Sequence, residues 1–143
     1  MNQIVSRDQF LTLLNEDLSL EYSAAIQYKQ HAAVIDGLYA AFASELETHA
    51  GEELGHAKQL SDHLNYLGVI PTANVGERKG SPLSVEMLQQ DLAAENVAIA
   101  RYAERIAQAR MMQDFGTEAI LLGILEDEQS HANDIETWLE VKK

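Results

Sequence analysis

Two glutamates in this chain are each followed, three residues later, by a histidine. Glu53-Leu54-Gly55-His56 and Glu128-Gln129-Ser130-His131 both continue into alanine, and an acid, Glu52 or Asp127, precedes each glutamate. On a helix, positions i and i+3 share a face one turn apart, so each pair can present a carboxylate and an imidazole together. The surroundings repeat as well. Asp17-Leu18-Ser19-Leu20-Glu21 returns as Asp91-Leu92-Ala93-Ala94-Glu95, Ala24 as Ala98 and Tyr28 as Tyr102. The offset is 74 residues in the first block and 75 in the second, which marks an internal duplication into two similar halves.

The chemistry open to such a set is metal chemistry. Glu21, Glu53, Glu95 and Glu128, brought to one dry centre as carboxylates, would repel one another and lose their hydration. Two divalent cations would balance the four negative charges, with His56 and His131 supplying one nitrogen each. An oxygen-rich set with one imidazole per metal suits Fe(II), with Mn(II) as the other choice. Zinc more often takes three or four ligands at one tetrahedral point. Two metals sharing carboxylates would sit about 3.5–4 Å apart.

The elements that must position these groups are helices. Ala, Leu, Glu and Gln dominate on either side of an interval, Gly68 to Ser84, that holds both prolines, Pro71 and Pro82. A first helix is expected from Arg7 to about Asp36, with Ser6 and Gln9 as a capping box and Gly37 as the break. A second runs from about Tyr39 to Leu67 and stops at Gly68. A third follows Pro82, with Ser84 as N-cap, and ends near Met112. Asp114 caps a fourth that reaches about Val141, with Lys142 and Lys143 at its C-terminal end. The short first and third connections make two antiparallel hairpins. A helix of 28 residues is roughly 42 Å long, and an extended middle segment of about sixteen residues reaches about 53 Å. That segment can cross the length of the bundle. The prediction is an all-α, four-helix bundle with one long crossover and internally duplicated hairpins, a single domain over 1–143. All four glutamates fall near mid-helix, at one level.

With those residues in place, the chain resembles the ferritin-like di-iron carboxylate proteins, whose bundles carry a Glu on two helices and a Glu-x-x-His on the other two. Within that class it resembles bacterioferritin. Glu21-Tyr-Ser-Ala-Ala-Ile-Gln-Tyr28 is similar to that family's first-helix motif, and Gln90-Asp91-Leu92-Ala93-Ala94-Glu95 to its third-helix motif. The resemblance covers about residues 8 to 140. It implies that Glu21 and His56 bind one iron, that Glu95 and His131 bind the other, and that Glu53 and Glu128 bridge. It also implies ferroxidase activity, in which O2 or H2O2 takes electrons from two Fe(II), and a homodimer or a larger assembly of dimers. Iron storage or detoxification would follow from assembly into a shell. Alternatives are a manganese or iron enzyme that reduces peroxide, and a non-catalytic iron-binding module. Three departures stand out. Leu54 occupies the place of the family's haem-ligating Met, so no haem is expected. The chain ends twelve residues after His131, without the family's short fifth helix, so a 24-subunit shell is not implied. Ala98 stands where a rubrerythrin-type peroxidase has a second Glu.

Further residues have supporting roles. Asp91, one turn before Glu95, and Asp127 are expected to orient the histidine rings across the bundle. Tyr28 faces inward two turns after Glu21, where it can hydrogen-bond a ligand carboxylate or donate an electron; Tyr102 reads as core. His31, His49 and His63 lack a Glu three residues before them and read as surface or hydrogen-bonded side chains, and Glu52 as a solvated acid. Gly51 and Gly55, one turn apart, suggest close packing within the bundle or across a dimer, since each costs about 1 kcal/mol in a helix. The remaining composition narrows the field. There are no cysteines, which removes disulfides, thiolate metal sites and iron–sulfur clusters. A net charge of −13 repels nucleic acid and anionic membranes. No apolar run is long enough to span a bilayer, and Met1 to Arg7 lacks an apolar signal region, so a cytoplasmic location is expected.

Overall fold

The computed structural model describes residues 4–140 and consists of four long helices. They are α1 (Arg7–Val34), α2 (Ala43–Tyr66), α3 (Ser84–Met111) and α4 (Phe115–Leu139). The capping box at the start of α1 is present: the Gln9 amide donates to Ser6 Oγ (3.1 Å) and the Ser6 amide to Gln9 Oε1 (2.9 Å). Asp114 caps α4 by accepting from the Thr117 amide at 3.1 Å. Gly68, at φ +90°, ends the turn after α2 in the left-handed conformation that glycine tolerates.

Several boundaries differ from expectation. The first helix ends at Val34, and the second begins at Ala43 rather than Tyr39, because Gly37–Phe42 forms a 3-10 turn. A 3-10 turn aligns side chains three apart, here Tyr39 and Phe42, and Phe42 stacks on Trp138 with centroids 4.6 Å apart. Ser84 is the first residue of α3 rather than its cap. Its hydroxyl donates to Asp36 Oδ1 (2.8 Å) and accepts from the Asp36 amide (3.0 Å), tying the start of α3 to the chain leaving α1. The fourth helix stops at Leu139, and Lys142 and Lys143 lie outside the described residues.

Side-chain pairings give the topology. Arg7 donates to the Leu67 carbonyl and Lys29 pairs with Glu47, so α1 and α2 are antiparallel. Asp17 meets Arg105 while Asp36 meets Ser84, so α1 and α3 are antiparallel too. The crossover therefore starts beside the beginning of α1 and finishes beside its end. Its path is marked by hydrogen bonds in sequence order along α1. Asn15 holds Ile70 and Thr72, the Ser19 carbonyl accepts from Gly76, and Gln27 and His31 hold the two sides of Lys79. This is the long crossing that the segment's length allowed.

The core is divided. Phe10, Leu14, Leu18, Leu60, Leu64 and Leu121 fill one end, while Ile35, Leu46, Met87, Leu88 and Ile135 fill the other. Each fully buried aliphatic side chain contributes about 1.5–3 kcal/mol. Between the two apolar masses lies a polar belt, with Glu21, Glu53, His56, Glu95, Glu128 and His131 all buried.

Candidate metal centre

The belt is built by one residue from each of α1 and α3 and a Glu-x-x-His turn from each of α2 and α4. Their ligand atoms form two quartets, Glu21, Glu53, His56 and Glu128 in one, Glu53, Glu95, Glu128 and His131 in the other. Within each quartet all atoms lie within 4.8 Å of one another, and Glu53 and Glu128 belong to both. His56 Nδ1 is 3.4 Å from an oxygen of each of Glu21, Glu53 and Glu128. His131 Nδ1 is 3.3 Å from Glu53 and Glu95 and 3.5 Å from Glu128.

These spacings suit a shared ion better than hydrogen bonds. Two ligand atoms each about 2.1 Å from one ion stand roughly 3.0–3.4 Å apart. Six buried atoms here have no hydrogen-bond partner: Glu21 Oε2, Glu53 Oε1, Glu95 Oε2, Glu128 Oε1 and the Nδ1 atoms of His56 and His131. Buried polar atoms left unpaired cost about 1–3 kcal/mol each, so six together call for an occupant. The donor set of carboxylates and imidazoles fits a pair of divalent cations.

Four of these side chains are held from outside the cluster. His56 Nε2 donates to Asp127 Oδ2 (2.8 Å), and His131 Nε2 donates to Glu52 Oε2 (2.8 Å). The acid before each glutamate thus holds the histidine of the opposite motif and points its Nδ1 inward. His49 stacks on the His131 ring with centroids 4.1 Å apart. The Tyr28 hydroxyl donates to Glu95 Oε1 (2.7 Å) and the Tyr102 hydroxyl to Glu21 Oε1 (2.6 Å), leaving the second oxygen of each carboxylate free. Burial first, then the neighbouring carboxylates, push both phenols well above their usual range, so they stay donors.

Electrostatics show what the cluster does without a cation. Burial, reinforced by the Glu128 charge, pushes both Glu21 and Glu95 up to about 7, and burial with the Glu21 charge holds Glu53 well above the usual carboxylate range. Burial also disfavours the Glu128 charge, but the two histidines beside it outweigh that and hold it at about 2. Burial opposes charge on His56 and His131, yet the surrounding carboxylates, Glu128 first, raise both well above the ordinary imidazole value. Protons therefore do the neutralising in the metal-free protein, and a cation entering must displace them.

The structure brings the six expected ligand residues together and sets Asp127 against His56, but Asp91 stands elsewhere. It is buried, yet it accepts from Gln27 Nε2 (2.9 Å) and His31 Nδ1 (2.9 Å) and touches neither His56 nor His131. It lies on the side of α3 that faces α1, whereas both histidines come from α2 and α4. The acid beside His131 is Glu52, which had been read as solvated. The duplication carried the missing signal, since Glu52 is the counterpart of Asp127 and Asp91 that of Asp17. Tyr102, expected only as core, is buried but also donates to Glu21, as its duplication with Tyr28 could have indicated. Of the other histidines, His31 and His63 are hydrogen-bonded, and His49 donates to Asp134 from Nε2. Among the described residues, nothing beyond the neighbouring turns of α2 itself would lie within 4 Å of a Cβ at Gly51 or Gly55, so packing against another helix of the bundle does not explain them.

The architecture and the site define a class. The ferritin-like domain model matches residues 11–143, and the chain belongs to that family. It is 29% identical to bacterioferritin of Mycobacterium bovis over 133 residues, 92% of this chain and 84% of the relative. It is 28% identical to a bacterial non-heme ferritin of Staphylococcus epidermidis over 136 residues, 92% of this chain and 81% of the relative. Among solved structures, a ferritin-like diiron-carboxylate protein from Bacillus anthracis superposes with a TM-score of 0.89 at 31% identity, over 94% of this chain and 99% of that one. Bacterioferritin of Rhodobacter capsulatus, at 22% identity and a TM-score of 0.85 over 96% of this chain and 88% of that one, shares the fold. No helix among the described residues is long and apolar enough to cross a membrane.

Proposed function

We propose that this chain is a non-haem, bacterioferritin-like ferroxidase that binds two Fe(II) and oxidises them with O2 or H2O2. The observation that carries this reading is the convergence of six unpaired buried ligand atoms on two overlapping quartets. In it, Glu21 and His56 hold one ion, Glu95 and His131 hold the other, and Glu53 and Glu128, common to both quartets, lie between them. Two Fe(II) ions there supply the two electrons that O2 or H2O2 takes up.

The chain's own residues do the rest. Four carboxylates against two divalent ions give a neutral site, so loading needs no further counter-charge. Asp127 and Glu52 fix the imidazoles through Nε2, and Tyr28 and Tyr102 fix Glu95 and Glu21 through one oxygen each. In this reading Tyr28 acts through that hydrogen bond. The polar belt is closed above and below by apolar core, which shuts water out along the bundle axis. The outer stripe of α2, with Gly51 and Gly55 open and Leu54 exposed, together with exposed Ile26 on α1, supports a homodimer or an assembly of dimers.

The test is anaerobic titration with Fe(II) followed by O2 or H2O2, read by absorbance. The expected result is a break at two irons per chain and rapid oxidation. Tight binding without oxidation would instead favour a non-catalytic iron-binding module, and peroxide turnover with Mn(II) alone would favour a manganese enzyme.

A further inference from the structure

The metal-ligand cluster is also reached from its other side. A cavity of about 210 Å³ opens between α1 and α3 and ends on Glu21, Glu53, Glu95 and Glu128. Its walls are apolar: Leu20 and Ala24 from α1, Ala94, Val97 and Ala98 from α3. Both helices line it with alanine, Ala24 and Ala98 being counterparts in the duplication. Val97 is exposed at its mouth, as are Glu77 and Lys79 of the crossover, while the carboxylates at its floor are buried.

The contents that would suit this cleft can be narrowed. A hydrated cation gains nothing from an alanine wall, and the half-exposed acids Glu52 and Asp127 stand on the opposite, α2–α4 side. O2 and H2O2 need far less room. An apolar cavity of about 150 Å³ already accepts a benzene-sized guest. Beyond the proposed metal ligands, one polar atom on the lining also lacks a partner: Gln90 Oε1, an acceptor without a donor. The fitting molecule is apolar at one end, carries an O–H, and offers a group that an Fe(II) pair held at the floor can reduce.

We propose that the cleft admits an organic hydroperoxide, ROOH, as an oxidant for the Fe(II) pair. Its R group lies along Ala24, Ala94 and Ala98, its O–O end faces the floor, and its O–H can meet Gln90 Oε1. This rests on the ferroxidase reading and names the oxidant class. The reaction is ROOH + 2 Fe(II) + 2 H⁺ giving ROH + H2O + 2 Fe(III). The O–O bond breaks, the two Fe(II) provide both electrons, and the two protons, drawn from water at the mouth, complete the alcohol and the water.

Two measurements test it. In the first, protein loaded anaerobically with Fe(II) is mixed with cumene hydroperoxide or with H2O2. The expected result is Fe(II) oxidation by both, with one 2-phenyl-2-propanol formed per two Fe(III). Ala98→Leu and, separately, Ala94→Leu, which fill the cleft, slow the cumene hydroperoxide reaction at least about tenfold more than the H2O2 reaction. In the second, metal-free protein is titrated with 2-phenyl-2-propanol and followed by amide NMR. The expected result is saturable shifts at Ala94 and Ala98 in the wild type that Ala24→Leu abolishes. Oxidation by H2O2 but not by cumene hydroperoxide overturns the cleft assignment and leaves the ferroxidase reading standing. Failure with both oxidants overturns the ferroxidase reading and this assignment with it. An absence of saturable shifts, or equal slowing of both oxidants, also overturns the assignment.

Discussion

Asp17 on α1 and Asp91 on α3 occupy equivalent places in the two halves and are held differently. Asp17 accepts from Arg105 Nε (2.7 Å) and Nη2 (3.2 Å) and from Arg101 Nε (2.6 Å). Asp91 accepts from Gln27 and His31, the counterparts of Arg101 and Arg105 at the same offset of 74. Elsewhere the halves agree closely: each tyrosine donates to the other half's glutamate, and each pre-motif acid holds the other half's histidine. The repeat has been kept where it builds the metal centre and altered where it ties helices together. The altered end gained a task. His31 and Gln27 also hold Lys79 of the crossover, whereas the guanidinium of Arg105, with Asp17 and Gln108, only joins α1 to α3.

The comparison can be broken in graded ways. Glu53→Ala and Glu128→Ala should be equivalent and most severe, each abolishing the paired site. Metal affinity by calorimetry should fall by more than the roughly 10–100-fold expected for a supporting residue, while circular dichroism stays helical. Two ions still bound tightly in either variant would show that the halves are not equivalent at the centre. Next, Asp17→Ala should destabilise the fold by about 3–5 kcal/mol in urea melts, because it leaves a fully buried guanidinium unpaired. Asp91→Ala should cost less, about 1–3 kcal/mol, since an imidazole, unlike a guanidinium, has a neutral form. Equal losses would erase the proposed difference between the two ends. Glu52→Gln and Asp127→Asn should each weaken metal binding by roughly 10–100-fold and by similar amounts, read by chelator competition.

The last test of the shared centre is its pH dependence. Glu21 and Glu95 have folded values near 7, above their ordinary 4.5. Their protons stabilise the metal-free fold fully below pH 4.5, and this contribution is lost as pH rises through 7. The melting temperature of metal-free protein should therefore fall between pH 5 and pH 8. Metal affinity should move the opposite way, because fewer protons remain to be displaced. A metal-free melting temperature that rises over that range would contradict the assignment of Glu21 and Glu95 to one shared cluster.

Much of this was legible from the sequence because two periodicities coincide. Helical spacing put Glu53 with His56 and Glu128 with His131, and the duplication added Glu21 and Glu95. Crossover length against helix length then fixed the topology. The parts that were not legible depend on which side chain stands opposite another. Position along α3 shows that Asp91 shares a face with Glu95, but not that His31 rather than His131 lies across from it. Ser84 looked like a cap because serine after proline commonly is one, and only the approach of Asp36 diverted its hydroxyl. The Gly37–Phe42 turn kept its 3-10 form because Phe42 seats on Trp138, a contact between residues far apart in the chain.

The crossover has one more consequence. Covalently, residues 67–83 are all that joins the first hairpin to the second, and each hairpin carries one lone glutamate and one Glu-x-x-His turn, half of the ligand set. Two identical copies of such a hairpin, face to face about a two-fold axis, would assemble the same centre with no strap at all. The architecture is that of a symmetric pair made permanent in one polypeptide. A single chain lets the halves differ: His31 stands where the second half has Arg105, an asymmetry that two identical copies could not carry.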